Sequence, residues 1–260
     1  MRTHYDDIWM GEDKMKALVT GASSGIGRDI ARELSKKGYE LILVARDLDK
    51  LKKVKSEMQT PVETVSMDLS KLENCRRLYE TYPQIDLLVN DAGFGDCGYF
   101  TDTSLEKEVQ MIRTNIIAAH TLMKLYLTNM KKRDSGVILN VASLVGFLPG
   151  PLMATYYATK AYLIRLSEAI REELKKEHSQ VQISLLCPGP VHTNFNRVAN
   201  VQFLIKGFSS EYVAQYAVNK LSKGKFYIVP GPKAQLAKAL FKLLPTAFTA
   251  KCAYAIQKPA

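Results

Sequence analysis

The chain holds 260 residues, 47% hydrophobic and 24% charged, the balance of a folded globular protein rather than a disordered or fibrous one. Its net charge of +10 belongs to the tail, because Lys220 to Ala260 carries eight lysines and no Asp, Glu or Arg, and a groove for nucleic acid would need arginine among its aromatics. No apolar run reaches the ~18 residues that cross a bilayer, residues 1–14 lack a signal peptide's apolar core, and Cys75, Cys97, Cys187 and Cys252 form no CxxC pair, so a cytoplasmic setting is expected.

In chain order, residues 1–14 carry no readable chemistry and are expected to be a flexible extension. Short β-rich runs follow at Lys16–Thr20, Leu41–Val44, Val62–Ser66, Leu87–Asn90, Val137–Asn140, Gln182–Leu186 and Phe226–Val229. Stretches of helical spacing separate them: Ile26–Lys37, Leu48–Met58, Leu105–Lys131 and Thr155–Glu177. Near-continuous apolar strands alternating with helices predict an α/β fold, a single Rossmann-type doubly wound domain over 15–232 with a seven-stranded parallel sheet. A basic segment, 233–260, follows it.

The first predicted strand runs into Thr20-Gly21-Ala22-Ser23-Ser24-Gly25-Ile26-Gly27 and then a helix. Gly21 permits the tight turn, Gly25 lets backbone approach a pyrophosphate, and Gly27 lets the helix pack close to the strand. The helix start offers free N–H groups and a positive dipole end. The second strand ends on Arg46, where a cofactor with a free ribose 2′-hydroxyl would want a carboxylate. A guanidinium suits a 2′-phosphate, Ser23 adds a hydroxyl, and Asp47 reads as the N-cap of the next helix, so NADP(H) is favoured over NAD(H).

Tyr156 and Lys160 lie four apart in a helical stretch and share a face. A phenol titrates near pH 10, and a neighbouring ammonium is expected to lower that value and make proton donation to a carbonyl feasible. Tyr157, three before Lys160, is an alternative on spacing alone. Ser143 lies just past a strand end, placed to donate to a developing oxyanion. His4, His120, His178 and His192 show no ligand spacing, so no metal is expected. The serines of Gly21-Ala22-Ser23-Ser24-Gly25 belong to the phosphate turn rather than to a hydrolase elbow.

Taken together, TGASSGIG at 20–27, NDAG at 90–93, Asn115, Ser143, Tyr156-x-x-x-Lys160 and CPGPVHT at 187–193 resemble the short-chain dehydrogenase/reductase family from Lys16 to about Pro232. The resemblance implies a nicotinamide cofactor and a tetrad of Asn115, Ser143, Tyr156 and Lys160. In it Tyr156 is the acid/base, Ser143 orients the substrate oxygen, Lys160 binds the nicotinamide ribose and Asn115 holds a water. It also implies cofactor contacts from Gly21, Ser23, Ser24, Gly25, Ile26, Gly27, Arg46, Asp68, Leu69, Asn90, Ala92, Gly93, Pro188, Gly189, Val191 and Thr193. A homo-oligomer, dimer or tetramer, is implied too, with contacts through the two longest helices. The VAR after the second strand, the short lid and the basic C-terminus are similar to NADPH-dependent bacterial reductases. One departure is Asp91, where the family usually has Asn, which removes donor hydrogens beside the fourth strand.

The stretch between Ser143 and Tyr156 and the segment Phe195–Phe208 are apolar enough to border an apolar pocket. The expected substrate is therefore a small molecule such as a ketone, aldehyde, steroid or ketoacyl group, with 193–209 as a lid. A non-catalytic dinucleotide-binding sensor is the alternative, disfavoured by the full tetrad. In 233–260, leucines at helical spacing among lysines fit a helix packed on the domain or a partner subunit, or a basic amphipathic segment touching anionic membrane; Pro245 interrupts the pattern.

Overall fold

The structure, a computed structural model, describes residues 15–241 and 243–259. The expected extension at 1–14 lies outside the described residues. Strand β1 is Lys16–Thr20, followed by α1 (Gly25–Lys36), β2 (Glu40–Ala45), α2 (Leu48–Lys55), β3 (Val62–Ser66), α3 (Leu72–Thr81) and β4 (Leu87–Asn90). Next come α4 (Leu105–Ile112), a π-helical segment (Arg113–Ala118), α5 (Ala119–Lys132), β5 (Val137–Val141), a 3₁₀ turn (Leu144–Phe147), α6 (Ala154–Lys176) and β6 (Gln182–Leu186). The chain closes with β7 (Val191–His192), α7 (Phe195–Val198), β8 (Val201–Phe203), β9 (Phe208–Ser209), α8 (Ser210–Leu221), β10 (Tyr227–Ile228), α9 (Pro232–Phe241), α10 (Thr246–Ala255) and β11 (Gln257–Pro259).

Seven strands form one parallel sheet in the order β10-β6-β5-β4-β1-β2-β3. The expected α/β class and strand count hold. Strands flanked by helices on both sides bury both faces, which is why every residue of β4, β5 and β6 is buried, with no exposed alternate positions. On one face α1 packs Ile30, Ala31 and Leu34 with Val213, Ala217 and Leu221 of α8. On the other, Leu122, Met123 and Tyr126 of α5 and Ile164 of α6 cover Leu88, Ile138 and Ile183.

The strand order reverses between β1 and β4, which are neighbours although far apart in sequence. At such a switch point the following loops diverge and leave a crevice at the carboxyl edge. Thr20, closing β1, donates from Oγ1 to the Val89 carbonyl (3.1 Å) and accepts from the backbone N–H of Asp91 (3.0 Å) and Ala92 (3.1 Å). One hydroxyl thus ties the glycine turn to residues 90–93, whatever side chain stands at 91.

Three local features depart from the sequence expectation. The single helix over 105–131 is broken by the π-helical segment, which adds a residue to a turn and rotates Asn115 inward; helical periodicity alone does not reveal such a bulge. The helix expected to Met58 ends at Lys55, and Asp47 caps its start by accepting from Lys50 N–H (3.0 Å). The lid contains short strands, β7 pairing β9 and β8 pairing β11. Two- and three-residue strands are too short to carry a period.

Candidate active site

The glycine turn is shaped by contacts that a side chain would destroy. Gly21, at φ +70°, would place a Cβ 2.9 Å from Ala92 N, and a Cβ on Gly27 would fall 2.6 Å from Asp91 Oδ2 and 2.8 Å from Gly21 O. Gly25 is also left-handed, at φ +60°, and faces the Thr193 methyl. Ser24 stands at the N-cap of α1 without a side-chain capping bond, and the first turn holds no acidic residue. Apart from the Gly27 N–H, which Asp91 accepts, the first-turn N–H groups and dipole end of this twelve-residue helix therefore remain directed at the crevice. Ala22 N–H donates to Val44 O (3.3 Å), which sets Ser23 beside the end of β2 and the exposed Arg46.

At the ends of β2 and β3, Arg46 and Asp68 lie close enough to feel each other's charge. Burial acts to raise the Asp68 carboxyl, but the Ser70 hydrogen bonds and the Arg46 and Lys71 charges outweigh it and hold Asp68 below its ordinary value. Leu69 is buried beneath. Asn90 donates to Asn140 Oδ1 (2.9 Å), and Asn140 in turn donates to Ser167 Oγ (2.9 Å), so this side-chain chain crosses from β4 through β5 to α6. Gly93 leaves room for Asn115, whose Oδ1 would sit 2.9 Å from a Cβ there.

The four tetrad positions converge at the carboxyl edge. Ser143, just past β5, donates to Pro188 O (3.3 Å) and accepts from Val145 N–H (3.4 Å). It is also within hydrogen-bond reach of the Tyr156 phenol, whose pKa it acts to lower. Lys160 Nζ lies 5.8 Å from the Tyr156 ring centroid and donates to Val141 O (2.8 Å). Asn115 accepts from Phe94 N–H (3.1 Å) and donates to Phe94 O (2.9 Å) and Thr159 Oγ1 (3.1 Å). Pro188 and Gly189 border Ser143, while Val191 and Thr193 lead into the lid. Gly189 would accept a side chain, since a Cβ would meet only Leu144 at 3.7 Å.

Two expectations are sharpened here. Tyr157 is not a second acid, because its phenol is buried and donates to Gln257 Oε1 (2.7 Å), and Gln257 Nε2 donates to Pro151 O (2.6 Å). The lowering of the Tyr156 phenol by Lys160 does not appear. Burial pushes that phenol well above its ordinary value, the Tyr157 and Asp91 charges add to the rise, and Ser143 offsets only part of it. Lys160 Nζ stands 5.8 Å from the Tyr156 ring centroid and is hydrogen-bonded to the Val141 carbonyl rather than to the phenol oxygen. Lys160 is itself pushed down to about 8 by burial, against the pull of Asp91.

Tyr156 is itself part of a buried apolar cluster. Cys97, Met111, Met153, Tyr157, Val201 and Ala253 belong to it, and Phe94, Leu148, Leu152 and Phe195 pack against it. The Phe195 ring centroid is 5.0 Å from that of Tyr156. Sequence spacing gave the lid residues but not Gln257 and Ala253, which arrive from the far end of the chain. Thr159 was also missed, and Thr20 was named only as the first residue of the glycine motif, without its part in tying that turn to residues 90–93.

Residues 15–202 match the short chain dehydrogenase family. An uncharacterized oxidoreductase of Staphylococcus epidermidis is 34% identical over 181 residues, covering 68% of this chain and 78% of that protein. Two solved structures share the fold with a TM-score of 0.78 each. One is a short-chain dehydrogenase from Sphingobium yanoikuyae in complex with NADPH (24% identity, 90% of this chain, 97% of that one). The other is a short chain dehydrogenase/reductase from Burkholderia phymatum in complex with NAD (23% identity, 89% and 94%). With the family match spanning most of its length and the glycine turn and Ser-Tyr-Lys cluster meeting at one sheet edge, this chain belongs to the short-chain dehydrogenase/reductase family of oxidoreductases.

Proposed function

We propose that the protein is an NADP(H)-dependent carbonyl reductase, or in reverse an alcohol dehydrogenase, acting on an apolar substrate. The observation that carries this reading is the Tyr156 phenol, met by Ser143 and set in a buried apolar cluster beside a glycine turn shaped for a pyrophosphate. The residues present fit a nicotinamide dinucleotide: Gly21, Ser24, Gly25 and Ile26 would hold the pyrophosphate, Asp68 and Leu69 the adenine, and Lys160 and Thr193 the nicotinamide end. Bound there, that cofactor supplies the hydride for the carbonyl carbon.

The rest of the chemistry belongs to the chain. Ser143 Oγ–H donates to the substrate oxygen and fixes it next to Tyr156. Tyr156 then gives its proton to that oxygen as negative charge builds there. A buried phenol with a raised pKa stays protonated across the physiological range, and an alkoxide is a stronger base than a phenolate, so the transfer runs downhill. The phenolate left behind gains the Lys160 ammonium as its nearest cation. Asn115, fixed by Phe94 and Thr159, holds the π-helical segment against this group and is the residue that would keep a water on the proton path.

Support for the 2′-phosphate form comes from Arg46, exposed beside Ser23 with Asp68 already engaged by Ser70. Support for an apolar ketone, aldehyde, steroid or ketoacyl group comes from the apolar side chains packed around Tyr156. Exposed Leu105, Ile112 and Ile117 support a homo-oligomer through the α4 side. The test is reduction of a panel of aryl and alkyl ketones followed by loss of NADPH absorbance. Tyr156→Phe is expected to fold and to lose ~10²- to 10⁴-fold in kcat; wild-type turnover by that variant refutes the reading.

A further inference from the structure

The C-terminal segment leaves an apolar surface without cover. In α9, Ala234 packs against the core while Leu236 and Leu240, on the opposite side, are 62% and 44% exposed. Leu243 (81%) and Phe248 (52%) extend the surface through the turn into α10. Lys233, Lys251 and Lys258 stand exposed along the same segment, which holds no Asp or Glu. At its far end Leu204 N–H donates to Ile256 O (3.1 Å), bringing the exposed Leu204 and Ile205 alongside.

An apolar surface flanked by cations and lacking any anion is complementary to a layer with apolar depth and a negative surface. A second copy of the chain fits it poorly, because a twofold contact would set each lysine-bearing segment against its like. The placement also has a use. The inner side of α10 puts Ala253 into the cluster around Tyr156, and β11 puts Gln257 on Tyr157. The segment therefore packs directly on the cluster that holds Tyr156.

We propose that residues 233–259 form a docking surface for an anionic phospholipid bilayer, with the leucines entering the headgroup boundary and the lysines meeting lipid phosphates. Docked in this way, the segment that packs on the Tyr156 cluster lies against the lipid in which an apolar carbonyl compound dissolves. This last step rests on the reading of Tyr156 given above; the docking itself does not.

The test is co-sedimentation of the full chain with sonicated vesicles of phosphatidylcholine alone or with about a third phosphatidylglycerol, at low and high salt. Binding is expected only to the anionic vesicles and is expected to weaken as salt rises. Leu236→Glu with Leu240→Glu and Leu243→Glu, all at exposed positions, is expected to lower the bound fraction at least ~tenfold, and Lys233→Glu with Lys251→Glu to do the same. Both variants are expected to keep wild-type turnover of a water-soluble ketone without vesicles, so a failure of catalysis and a failure of docking are read separately. Absence of binding to anionic vesicles, or binding that both variants retain, overturns the proposal. A drop in solution mass of the leucine variant by light scattering also overturns it, since the surface is then an interface between copies.

Discussion

Asp91, half-buried beside Gly27 and Lys160, has its carboxyl pushed up to about 7 by burial, with the Lys160 charge and the Gly27 N–H offsetting only part of that. A carboxyl raised above its unfolded value binds more protons in the folded state. Its contribution to stability is complete below about pH 4 and is lost as pH rises to about 7. Lys160 is protonated in both states over that window, so it leaves the sign unchanged. Thermal denaturation of Asp91→Asn relative to wild type should therefore show the wild type losing ground between pH 4 and pH 7, with the variant's curve flatter. A difference that does not vary with pH would show that the charge of Asp91 is not what burial perturbs. Arg46 can be probed independently, being exposed and outside the packed core. Arg46→Ala is expected to lower kcat/KM for NADPH by ~10- to 100-fold, the worth of a charge-assisted pair, and to leave NADH nearly unchanged. Equal losses with both cofactors would remove the 2′-phosphate assignment.

At the scale of elements, the loop between the 3₁₀ turn and α6 shows how backbone shape sets the site. Gly150 lies against the ring of Tyr157, where an added Cβ would come within 2.1 Å of Cγ. Tyr157 cannot retreat, being buried and bonded to Gln257. Gly150→Ala is expected to cost about 1–3 kcal/mol by overpacking, whereas Gly189→Ala, with its nearest neighbour at 3.7 Å, should melt near wild type. Denaturant titrations of the pair would check this. The sequence placed residue 150 only in the apolar stretch between Ser143 and Tyr156, because its constraint comes from a tyrosine seven positions on. The π-helical segment is a similar case: Asn115 was named by resemblance, and its inward aim is a property of the bulge.

At the scale of the whole molecule, the C-terminus packs on the cluster that the lid begins. β11 pairs antiparallel with β8, Gln257 with Phe203 and Pro259 with Val201. Gln257→Leu would leave the Tyr157 phenol and the Pro151 carbonyl without their partner, at a cost of about 1–3 kcal/mol each for a buried polar group. The expected outcome is a lower melting temperature and a higher KM for large apolar ketones, with KM for NADPH unchanged. An unaltered KM for every substrate would mean that the strand pair does not shape the site. Among the described residues no helix is long and apolar enough to cross a membrane.

The seven strands, the helices beginning near 26, 48, 105 and 155, the glycine turn, Arg46, and the Ser143, Tyr156 and Lys160 positions were legible in the chain, because each depends on near neighbours: apolar period, a loop between strand and helix, a four-residue spacing on one helix; α3 was not. Tertiary structure decided which of two adjacent tyrosines faces Ser143, where the Lys160 ammonium is spent, and that the last five residues described, with Gln257 among them, return to the active site. These depend on groups that lie 19 residues apart (Lys160 and Val141) or 100 apart (Tyr157 and Gln257), or on how deeply a phenol is buried. Local spacing encodes neither, since burial and long-range pairing exist only once the sheet has brought its carboxyl edge together.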